Sequence, residues 1–367
     1  MAGFQPVKEE ALTHLQRFQK RLDGGCAALI SSAQNRFYLS GFHFDDGYLL
    51  VLPDAAFLLT DFRYEEAAEK TADPAFTVLS PKGAMLGAVA EILAERGAKS
   101  LLFEENDVTF ALYRRLQEKL TAVSVTGGAA AILSELRVLK DAGELAAIRR
   151  AQEITDAAFS HIRGVIRPGV RELDVALELE FFMRRMGAEG AAFDTIAVSG
   201  TASALPHGVP RDRVLEKGFF TMDFGARFGG YCADMTRTVV IGRADEEMKR
   251  LYHTVLAAQE TALSRAAAGV SCRALDLAAR ELIDGAGYEG CFGHSLGHGV
   301  GIDIHEAPRL SRTAPEDAVL TPGHVVTVEP GIYLKGKYGC RIEDLIAITP
   351  DGRVENLTKS TKELIEL

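Results

Sequence analysis

Five residues with metal-binding side chains stand out in the second half of the chain: Asp223, Asp234, His298, Glu329 and Glu343. Four carboxylates and one imidazole carry about the charge that neutralises two divalent cations. Oxygen-rich ligand sets favour a hard or borderline ion over zinc held by thiolates. Mn²⁺ is therefore the first expectation, with Co²⁺, Fe²⁺ and Zn²⁺ as alternatives. Two such ions about 3.5–4 Å apart can activate water and polarise a carbonyl group, so the set predicts a hydrolase.

The first two carboxylates flank a predicted β-hairpin. Strand-forming residues stand on both sides of a glycine-rich turn at 225–230. Folding about that turn places Asp223 nearly opposite Asp234, and side chains opposite each other on paired strands have Cβ atoms about 5 Å apart. Two like charges at that distance repel each other unless a cation lies between them. A structural role for each Asp stays open, and Arg237 could neutralise one of them.

A second predicted hairpin repeats this arrangement. Glu329 and Glu343 are equidistant from Gly336, which lies at the centre of a Lys-Gly-Lys turn. Both glutamates stand among apolar residues, where an ionised carboxylate is costly to bury without a partner. Two hairpins that each carry facing carboxylates favour one shared metal site over separate structural roles.

A glycine-rich segment between the two hairpins supplies the nitrogen ligand. Its glycines allow the backbone to approach other segments closely, and His298 is the predicted metal ligand among them. His305 is predicted to face the substrate, and His207, before the first hairpin, is a further candidate. We interpret His253 and His324 as structural residues.

The residues before 130 predict a small α/β domain, because helical patterns alternate with short apolar runs typical of strands. Helices are predicted at 8–22, 84–96 and 109–120, and strands at 26–31, 47–53, 56–61, 76–80 and 99–105. A chain of 367 residues exceeds the usual size of one domain. We therefore predict an N-terminal domain at 1–130, a linker at 126–132 that is followed by a helical run, and a second domain at 140–367.

Four helices are predicted in the second domain. The first helix carries an apolar stripe from Leu145 to Ile162, and the second runs from Glu172 to Met186 with Gly187 at C′. The third helix begins near Asp245. The fourth runs from Cys272 to Asp284, with Ser271 as its N-cap. The second and fourth helices are flanked by similar sequences at an offset of 100 residues, such as Gly169-Val170 and Gly269-Val270. We interpret this as an internal duplication, with chance similarity as the alternative.

The composition excludes several classes of partner. Acidic residues outnumber basic ones, 51 to 41, which gives a net charge of −10. Nucleic acids and anionic membranes favour basic surfaces, so neither is an expected partner. No apolar run approaches the roughly 18 residues of a membrane span, and residues 1–10 lack the pattern of a signal peptide. The five cysteines form no CxxC pair and are expected to be reduced, so a cytoplasmic location is the simplest expectation.

These motifs resemble those of the proline-specific metallopeptidases of the pita-bread fold, which include aminopeptidase P and prolidase and are related to creatinase and methionine aminopeptidase. The matching segments are SALPHG, MDFG with YCADMTRT, GHGVGIDIHEAPRLS, VEPGIY and RIED. The N-terminal segments NRFYLSGF and LLTDFRY resemble the creatinase-type N-terminal domain. The resemblance implies an α+β fold: a C-terminal pita-bread catalytic domain of two duplicated halves with an antiparallel sheet, and a smaller α/β N-terminal domain.

The resemblance also implies a role for each metal ligand, because all five positions agree in type and order. Asp223 would bind one ion with both oxygens, while Asp234 and Glu343 would bridge the two ions. His298 would complete the other ion together with Glu329. Glu329 would also accept the proton of the attacking water.

Four further residues are implied in substrate binding. His207 and His305 would hold the scissile carbonyl and stabilise the tetrahedral intermediate. Arg341 would brace the site or contact the substrate, and Arg309 would bind a substrate carboxylate. The same resemblance leads us to expect a homodimer.

The implied reaction is hydrolysis of the bond between an N-terminal residue and proline in short peptides. An aminopeptidase P would act on longer peptides, whereas a prolidase would cleave only Xaa-Pro dipeptides. The aminopeptidase is favoured because the sequence shows no evident carboxylate clamp for dipeptides. A metal-free creatinase-like hydrolase or a pseudo-peptidase binding module is a remote alternative, since such relatives replace several ligands and none is replaced here. A methionine aminopeptidase is disfavoured by the extra N-terminal domain.

Overall fold

The computed structural model describes residues 12–367, which form two compact units that divide between Arg137 and Val138. None of the helices in this described part is both long and apolar enough to cross a membrane. All five cysteines are free thiols.

The first unit contains one mixed six-stranded sheet. Its helices are α1 (His14–Gln19), α2 (Ala33–Ser40), α3 (Glu65–Thr71), α4 (Met85–Glu95), α5 (Phe110–Lys119) and α6 (Ala129–Arg137), and its strands are β1 (Cys26–Ile30), β2 (Gly47–Val51), β3 (Ala56–Thr60), β4 (Phe76–Leu79), β5 (Ser100–Phe103) and β6 (Ser124–Gly127). The strand order is β4-β3-β2-β1-β5-β6. Strands β1, β2 and β3 pair antiparallel, and the outer pairs are parallel. The predicted α/β character of this part of the chain is therefore confirmed.

Most predicted elements of the first unit are present, and three were missed. All five predicted strands form, as do α4 and α5, while the helix predicted at 8–22 is observed as α1; residues 8–11 of that prediction lie outside the described residues. The missed elements are α2, α3 and β6, each too short to show a full helical or alternating pattern. The linker predicted at 126–132 is wrong, because those residues end β6 and begin α6.

The second unit has two halves, each with two helices followed by antiparallel strands. The first half consists of α7 (Ala142–Ile162), α8 (Glu172–Arg185), β7 (Gly190–Ala191), β8 (Ile196–Ser199), β9 (Gly218–Phe224), β10 (Ala226–Phe228), β11 (Tyr231–Cys232) and β12 (Met235–Ile241). Its two small sheets have the orders β12-β9-β8 and β11-β10-β7. Helices α7 and α8 pack their apolar faces against β9 and β12 in one buried cluster.

The second half consists of α9 (Glu246–Arg265), α10 (Cys272–Ile283), β13 (Gly297–Gly299), β14 (Glu306–Leu310), β15 (Val325–Val328), β16 (Gly331–Leu334), β17 (Tyr338–Arg341), β18 (Asp344–Ile348) and β19 (Val354–Asn356). Five of its strands form a sheet in the order β14-β13-β15-β18-β19, and β16 pairs with β17. Helices α9 and α10 share a second buried cluster with these strands.

Local capping explains where the helices of the second unit begin and end. The Asp245 carboxylate accepts a hydrogen bond from the Met248 amide at the start of α9, and the Ser271 hydroxyl caps α10 in the same way. Gly187 follows α8 with φ of 100°, a left-handed conformation that glycine adopts without strain. The four predicted helices are therefore confirmed.

The two halves share one local design, as the repeated sequence predicts. A bridge joins Arg171 to Val214 before α8, and a bridge joins Ser271 to Val319 before α10. The halves meet where the Glu343 amide donates to the carbonyl of Thr236 on β12, at 3.2 Å. The carboxylates of the two hairpins therefore lie close together, where the two halves meet.

Candidate metal centre

All the candidate site residues from the sequence line one cavity of the second unit, with a volume of about 870 Å³. The cavity wall includes Asp223, Asp234, His298, Glu329, Glu343, His207, His305, Arg309 and Arg341. The two hairpins and the glycine-rich segment between them contribute most of these side chains.

The first hairpin forms, but its register differs from the prediction. Asp223 pairs with Thr236, not with Asp234, because the chain turns at Gly229 and Gly230, whose φ values are 56° and 78°. Asp234 lies two residues before Thr236, directly ahead of β12, and its side chain lines the same cavity as that of Asp223. Asp223 and Asp234 are therefore diagonal neighbours rather than directly opposed.

A close backbone contact shapes this hairpin beside the site. Gly225 separates β9 from β10, and a Cβ atom there would lie 1.8 Å from the carbonyl oxygen of Ala233. Only glycine fits at this position, which explains the Asp-Phe-Gly sequence that ends β9.

The second hairpin has the predicted register. Val328 pairs with Asp344 and Gly331 pairs with Arg341, so Glu329 and Glu343 stand opposite each other between the two pairs. The turn is closed by the Lys337 amide, which donates to Leu334 at 2.8 Å, and Gly336 has φ of 78°. The prediction that these two glutamates face each other is therefore confirmed.

His298 lies on β13 between β14 and β15, and the glycines on either side make this possible. A Cβ atom at Gly297 would lie 2.0 Å from the carbonyl oxygen of Thr327, and one at Gly299 would lie 2.1 Å from that of Ala307. The flanking strands therefore approach closely enough to bury the imidazole.

The hydrogen bonds of His298 leave one ring nitrogen aimed at carboxylates. Nδ1 donates to the carbonyl of Gly299 at 3.1 Å, which assigns the proton to that nitrogen. Nε2 then lies 3.5 Å from Asp234 Oδ2 and 3.4 Å from Glu329 Oε1. Burial and the nearby His305 lower the pKa of His298 to about 4, so the ring is neutral at pH 7. Unprotonated Nε2 and carboxylate oxygens that converge in this way are suited to a shared cation.

The carboxylates repel one another in the absence of cations. Burial, reinforced by the charges of the neighbouring carboxylates, raises the pKa of Asp234 and of Glu343 well above the ordinary value. Burial also raises the pKa of Glu329, to about 8. Oδ1 of Asp223 and Oε1 of Glu343 are buried and accept no hydrogen bond from the described residues.

These observations show that the residues fit divalent cations. Ligand atoms of Asp234, His298 and Glu343 all lie within 4.8 Å of one another. The unpaired oxygens of Asp223 and Glu343 provide further acceptors at the same place. Such a donor set, rich in carboxylate oxygen with one imidazole, suits metal ions of hard or borderline character.

Arg341 lies beside the carboxylates and holds two of them in place. Its guanidinium is buried and forms an ion pair with Asp223. Its Nε donates to the hydroxyl of Thr236 at 2.9 Å, and that hydroxyl donates to Glu343 at 2.7 Å. Arg237, which could have neutralised one aspartate, instead pairs with Asp344 at 2.7 Å. The positive charge beside Asp223 therefore comes from Arg341.

His294 and Tyr333 also belong to the site, although the sequence did not single them out. Nδ1 of His294 donates to the carbonyl of Ser295, so Nε2 accepts from the Tyr333 hydroxyl at 2.9 Å. The same hydroxyl accepts from Arg341 at 2.8 Å. Burial lowers the pKa of His294 to about 3, which keeps the ring neutral. Spacing in the sequence could have indicated both residues. His294 stands four positions before His298, and Tyr333 stands four positions after Glu329.

The remaining predicted residues lie on the wall of the cavity. The His305 ring is 4.2 Å from the His298 ring, edge to face, and is exposed to the cavity. His207 and Arg309 are likewise exposed, and Arg309 Nε donates to the Ser295 hydroxyl at 3.4 Å. All three side chains carry hydrogen-bond donors and line the cavity.

The two histidines interpreted as structural do not line this cavity. His324 is buried and accepts a hydrogen bond from the Thr321 amide at 3.1 Å. His253 is packed edge to face against Tyr252.

Comparison with known proteins identifies the family. Metallopeptidase family M24 matches residues 146–350, and the creatinase/prolidase N-terminal domain matches residues 14–139. The chain is 38% identical to a Xaa-Pro dipeptidase of Pyrococcus furiosus, over 92% of this chain and 94% of the relative.

Solved structures agree with this likeness. A Xaa-Pro dipeptidase from Bacillus anthracis superposes with a TM-score of 0.91 at 41% identity, covering 96% of this chain and 99% of that one. An X-Pro aminopeptidase from Thermotoga maritima superposes with a TM-score of 0.89 at 38% identity, covering 96% and 100%. With its carboxylate-rich centre and both domains matched, the chain belongs to metallopeptidase family M24 and is a metallopeptidase with a creatinase-type N-terminal domain.

Proposed function

We propose that this protein hydrolyses the bond between the first residue and proline at the N-terminus of short peptides. The observation that carries the proposal is the convergence of four carboxylates and a neutral imidazole in one cavity whose wall also holds two exposed histidines. The similar proteins named as Xaa-Pro dipeptidase and X-Pro aminopeptidase support the choice of substrate.

Two divalent ions would be held by Asp223, Asp234, His298, Glu329 and Glu343. Mn²⁺ is the proposed ion, with Co²⁺, Fe²⁺ or Zn²⁺ as alternatives, because oxygen ligands predominate. When bound, two such ions polarise the scissile carbonyl and lower the pKa of the attacking water.

Glu329 is the proposed proton acceptor for that water. Its Oε1 accepts a hydrogen bond from the Thr327 hydroxyl at 3.3 Å, which orients the carboxylate, and its Oε2 lies 4.0 Å from His294 Nδ1. His305 and His207 would then donate hydrogen bonds to the carbonyl oxygen as it becomes negative. Such preorganised donors typically lower the barrier by about 3–4 kcal/mol each.

Proline gives the cavity its selectivity in this proposal. The bond before proline is a tertiary amide, so it has no N–H to bind. The cavity wall also includes Phe193, Ile196, Pro206 and Val209, apolar side chains that suit a pyrrolidine ring.

Cleavage of longer peptides, as by an aminopeptidase P, is the first candidate, and dipeptide cleavage, as by a prolidase, is the second. The second candidate is favoured by Arg309, whose guanidinium lies in the cavity wall and could bind the free carboxylate of a dipeptide.

Rates on Ala-Pro and Ala-Pro-Ala, measured with Mn²⁺ and with a chelator, test both candidates. Metal-dependent cleavage of either substrate supports the proposed reaction, and none on either refutes it. If Arg309 binds the dipeptide carboxylate, Arg309→Met lowers kcat/KM on Ala-Pro at least about tenfold more than on Ala-Pro-Ala. Arg312→Met, an exposed arginine that does not line the cavity, is the matched control. Comparable rates on both peptides would contradict either strict specificity.

A homodimer in the cytoplasm completes the proposal. The dimer rests on the resemblance of the sequence motifs to the pita-bread metallopeptidases, and the free thiols are consistent with a reducing compartment. Light scattering after size-exclusion chromatography measures the assembly, and a monomer at micromolar concentration would contradict it.

A further inference from the structure

We propose that a buried ion pair between Lys140 and Glu306 positions His305 in the active-site cavity. The inference rests on the proposed function, in which His305 donates to the scissile carbonyl. It assigns a positioning role to two residues outside the set of metal ligands.

The pair is almost completely removed from solvent. The exposed fractions of the two side chains are 1% for Lys140 and 8% for Glu306, and Lys140 Nζ lies 2.9 Å from Glu306 Oε2. The backbone of Lys140 is itself held, since its amide donates to the carbonyl of Gly323 at 2.8 Å. A buried charge that loses its partner is strongly unfavourable, so each residue holds the other in place.

The Glu306 carboxylate also closes the loop that leads to His305. Its second oxygen, Oε1, accepts a hydrogen bond from the Asp303 amide at 3.1 Å. Gly301 lies so close that a Cβ atom there would be 2.5 Å from Glu306 Oε2. The loop between β13 and β14 thus packs closely against the Glu306 carboxylate, which Lys140 also binds.

This arrangement decides where His305 points. His305 directly precedes Glu306 in the chain, so the contacts that hold Glu306 also hold the backbone of His305, whose ring meets that of His298 at 4.2 Å in the cavity. A merely structural ion pair would stabilise the fold without this dependence of His305 on Lys140.

Steady-state kinetics of Lys140→Met in the metal-loaded enzyme tests the proposal. We expect kcat on an Ala-Pro peptide to fall about 100-fold with little change in KM and in bound metal, because misplacement of a catalytic group by about 1 Å can cost that much. The matched control is Arg149→Met. This substitution removes the ion pair between Arg149 and Glu355, nine positions after Lys140, and should leave kcat unchanged. An unchanged kcat in Lys140→Met would overturn the proposal.

A double-mutant cycle separates positioning from general stabilisation. In a His305→Ala background, Lys140→Met should lower kcat less than twofold further, because the group through which it acts is already absent. If the two substitutions instead multiply in their effects, the ion pair does not act through His305. Glu306→Gln, which keeps the size of the side chain, supplies the same cycle if Lys140→Met does not fold.

Amide hydrogen exchange provides a readout that does not depend on activity. Amides of residues 300–306 should exchange at least about tenfold faster in Lys140→Met than in the wild type. Their exchange rates should be unchanged in Arg149→Met. Equal protection in all three proteins would contradict the proposed anchoring. The two proposals can fail separately. If the wild-type enzyme is inactive but Lys140→Met still speeds exchange in the loop, the proposed function is refuted while the anchoring stands.

Discussion

Removal of the metal ions should make the stability of the catalytic domain strongly dependent on pH. In the metal-free folded protein, burial raises the pKa of Glu329 to about 8 from its ordinary 4.5, helped by the charge of Asp223 and opposed by Arg341. Such a carboxyl binds its proton more tightly in the folded than in the unfolded state. The contribution of Glu329 to the stability of the metal-free domain is therefore largest below about pH 4.5 and is lost as the pH rises to about 8. Asp234 and Glu343 act in the same direction.

The size of this effect follows from Glu329 alone. The difference between the folded and unfolded pKa corresponds to about 5 kcal/mol, of which about 3–4 kcal/mol falls between pH 5 and pH 8. For a domain that spans residues 138–367, each kcal/mol shifts Tm by about 2–4 °C, so Tm should fall by about 10 °C over that range. Bound cations keep the carboxylates ionised, and the loaded protein should not show this slope.

Calorimetry at pH 5, 6, 7 and 8, with a chelator and with Mn²⁺, measures the prediction. Glu329→Gln should flatten the pH dependence of the chelated protein, whereas Glu355→Gln, which removes a half-exposed partner of Arg149, should leave it intact. A chelated wild-type protein with the same Tm at pH 5 and pH 8 would refute the reasoning. So would an equal slope in the metal-loaded protein.

Three substitutions, the last of them with a matched control, test the site more directly. Asp234→Asn should reduce bound metal, measured by elemental analysis, and lower kcat at least about 1000-fold; wild-type activity would exclude a bridging role. His305→Ala should lower kcat about 100- to 1000-fold with full metal content, and an unchanged kcat would exclude it as a donor. Gly297→Ala should destabilise the protein by about 3 kcal/mol in denaturant titrations, because its Cβ would lie 2.0 Å from the Thr327 carbonyl oxygen. Gly293→Ala, with open space around it, should change stability by less than about 0.5 kcal/mol, and equal effects of the two would contradict the packing argument.

The register of the two hairpins shows how far local sequence reaches. Glu329 and Glu343 could be paired correctly because a single glycine, Gly336, marks the centre of a short turn. The first hairpin offers Gly225, Gly229 and Gly230, and the turn forms at the last two. Gly225 does not mark the turn but allows the close approach of the Ala233 carbonyl, a contact between packed strands that the local sequence does not show.

The hydrogen bonds around the metal ligands were harder to predict than the ligands themselves. The second helix and its glycine could be predicted because an apolar stripe and a C′ glycine are local signals. The relay from Arg341 through Thr236 to Glu343, and the bond from Tyr333 to His294, join residues from separate strands and loops. Their side chains carry no distinctive signal in sequence, since tyrosine and threonine are common in strands.

The sequence by itself determined which side chains would carry the chemistry. Carboxylates within apolar strands and a histidine between glycines are costly to bury, so their presence already indicated a ligand. The tertiary structure alone decided how those charges are balanced: Arg341 and not Arg237 pairs with Asp223, and Lys140 lies beneath Glu306. The physical reason is that electrostatic energy depends on distance in space, and residues more than a hundred positions apart come within 3 Å only when the strands pack.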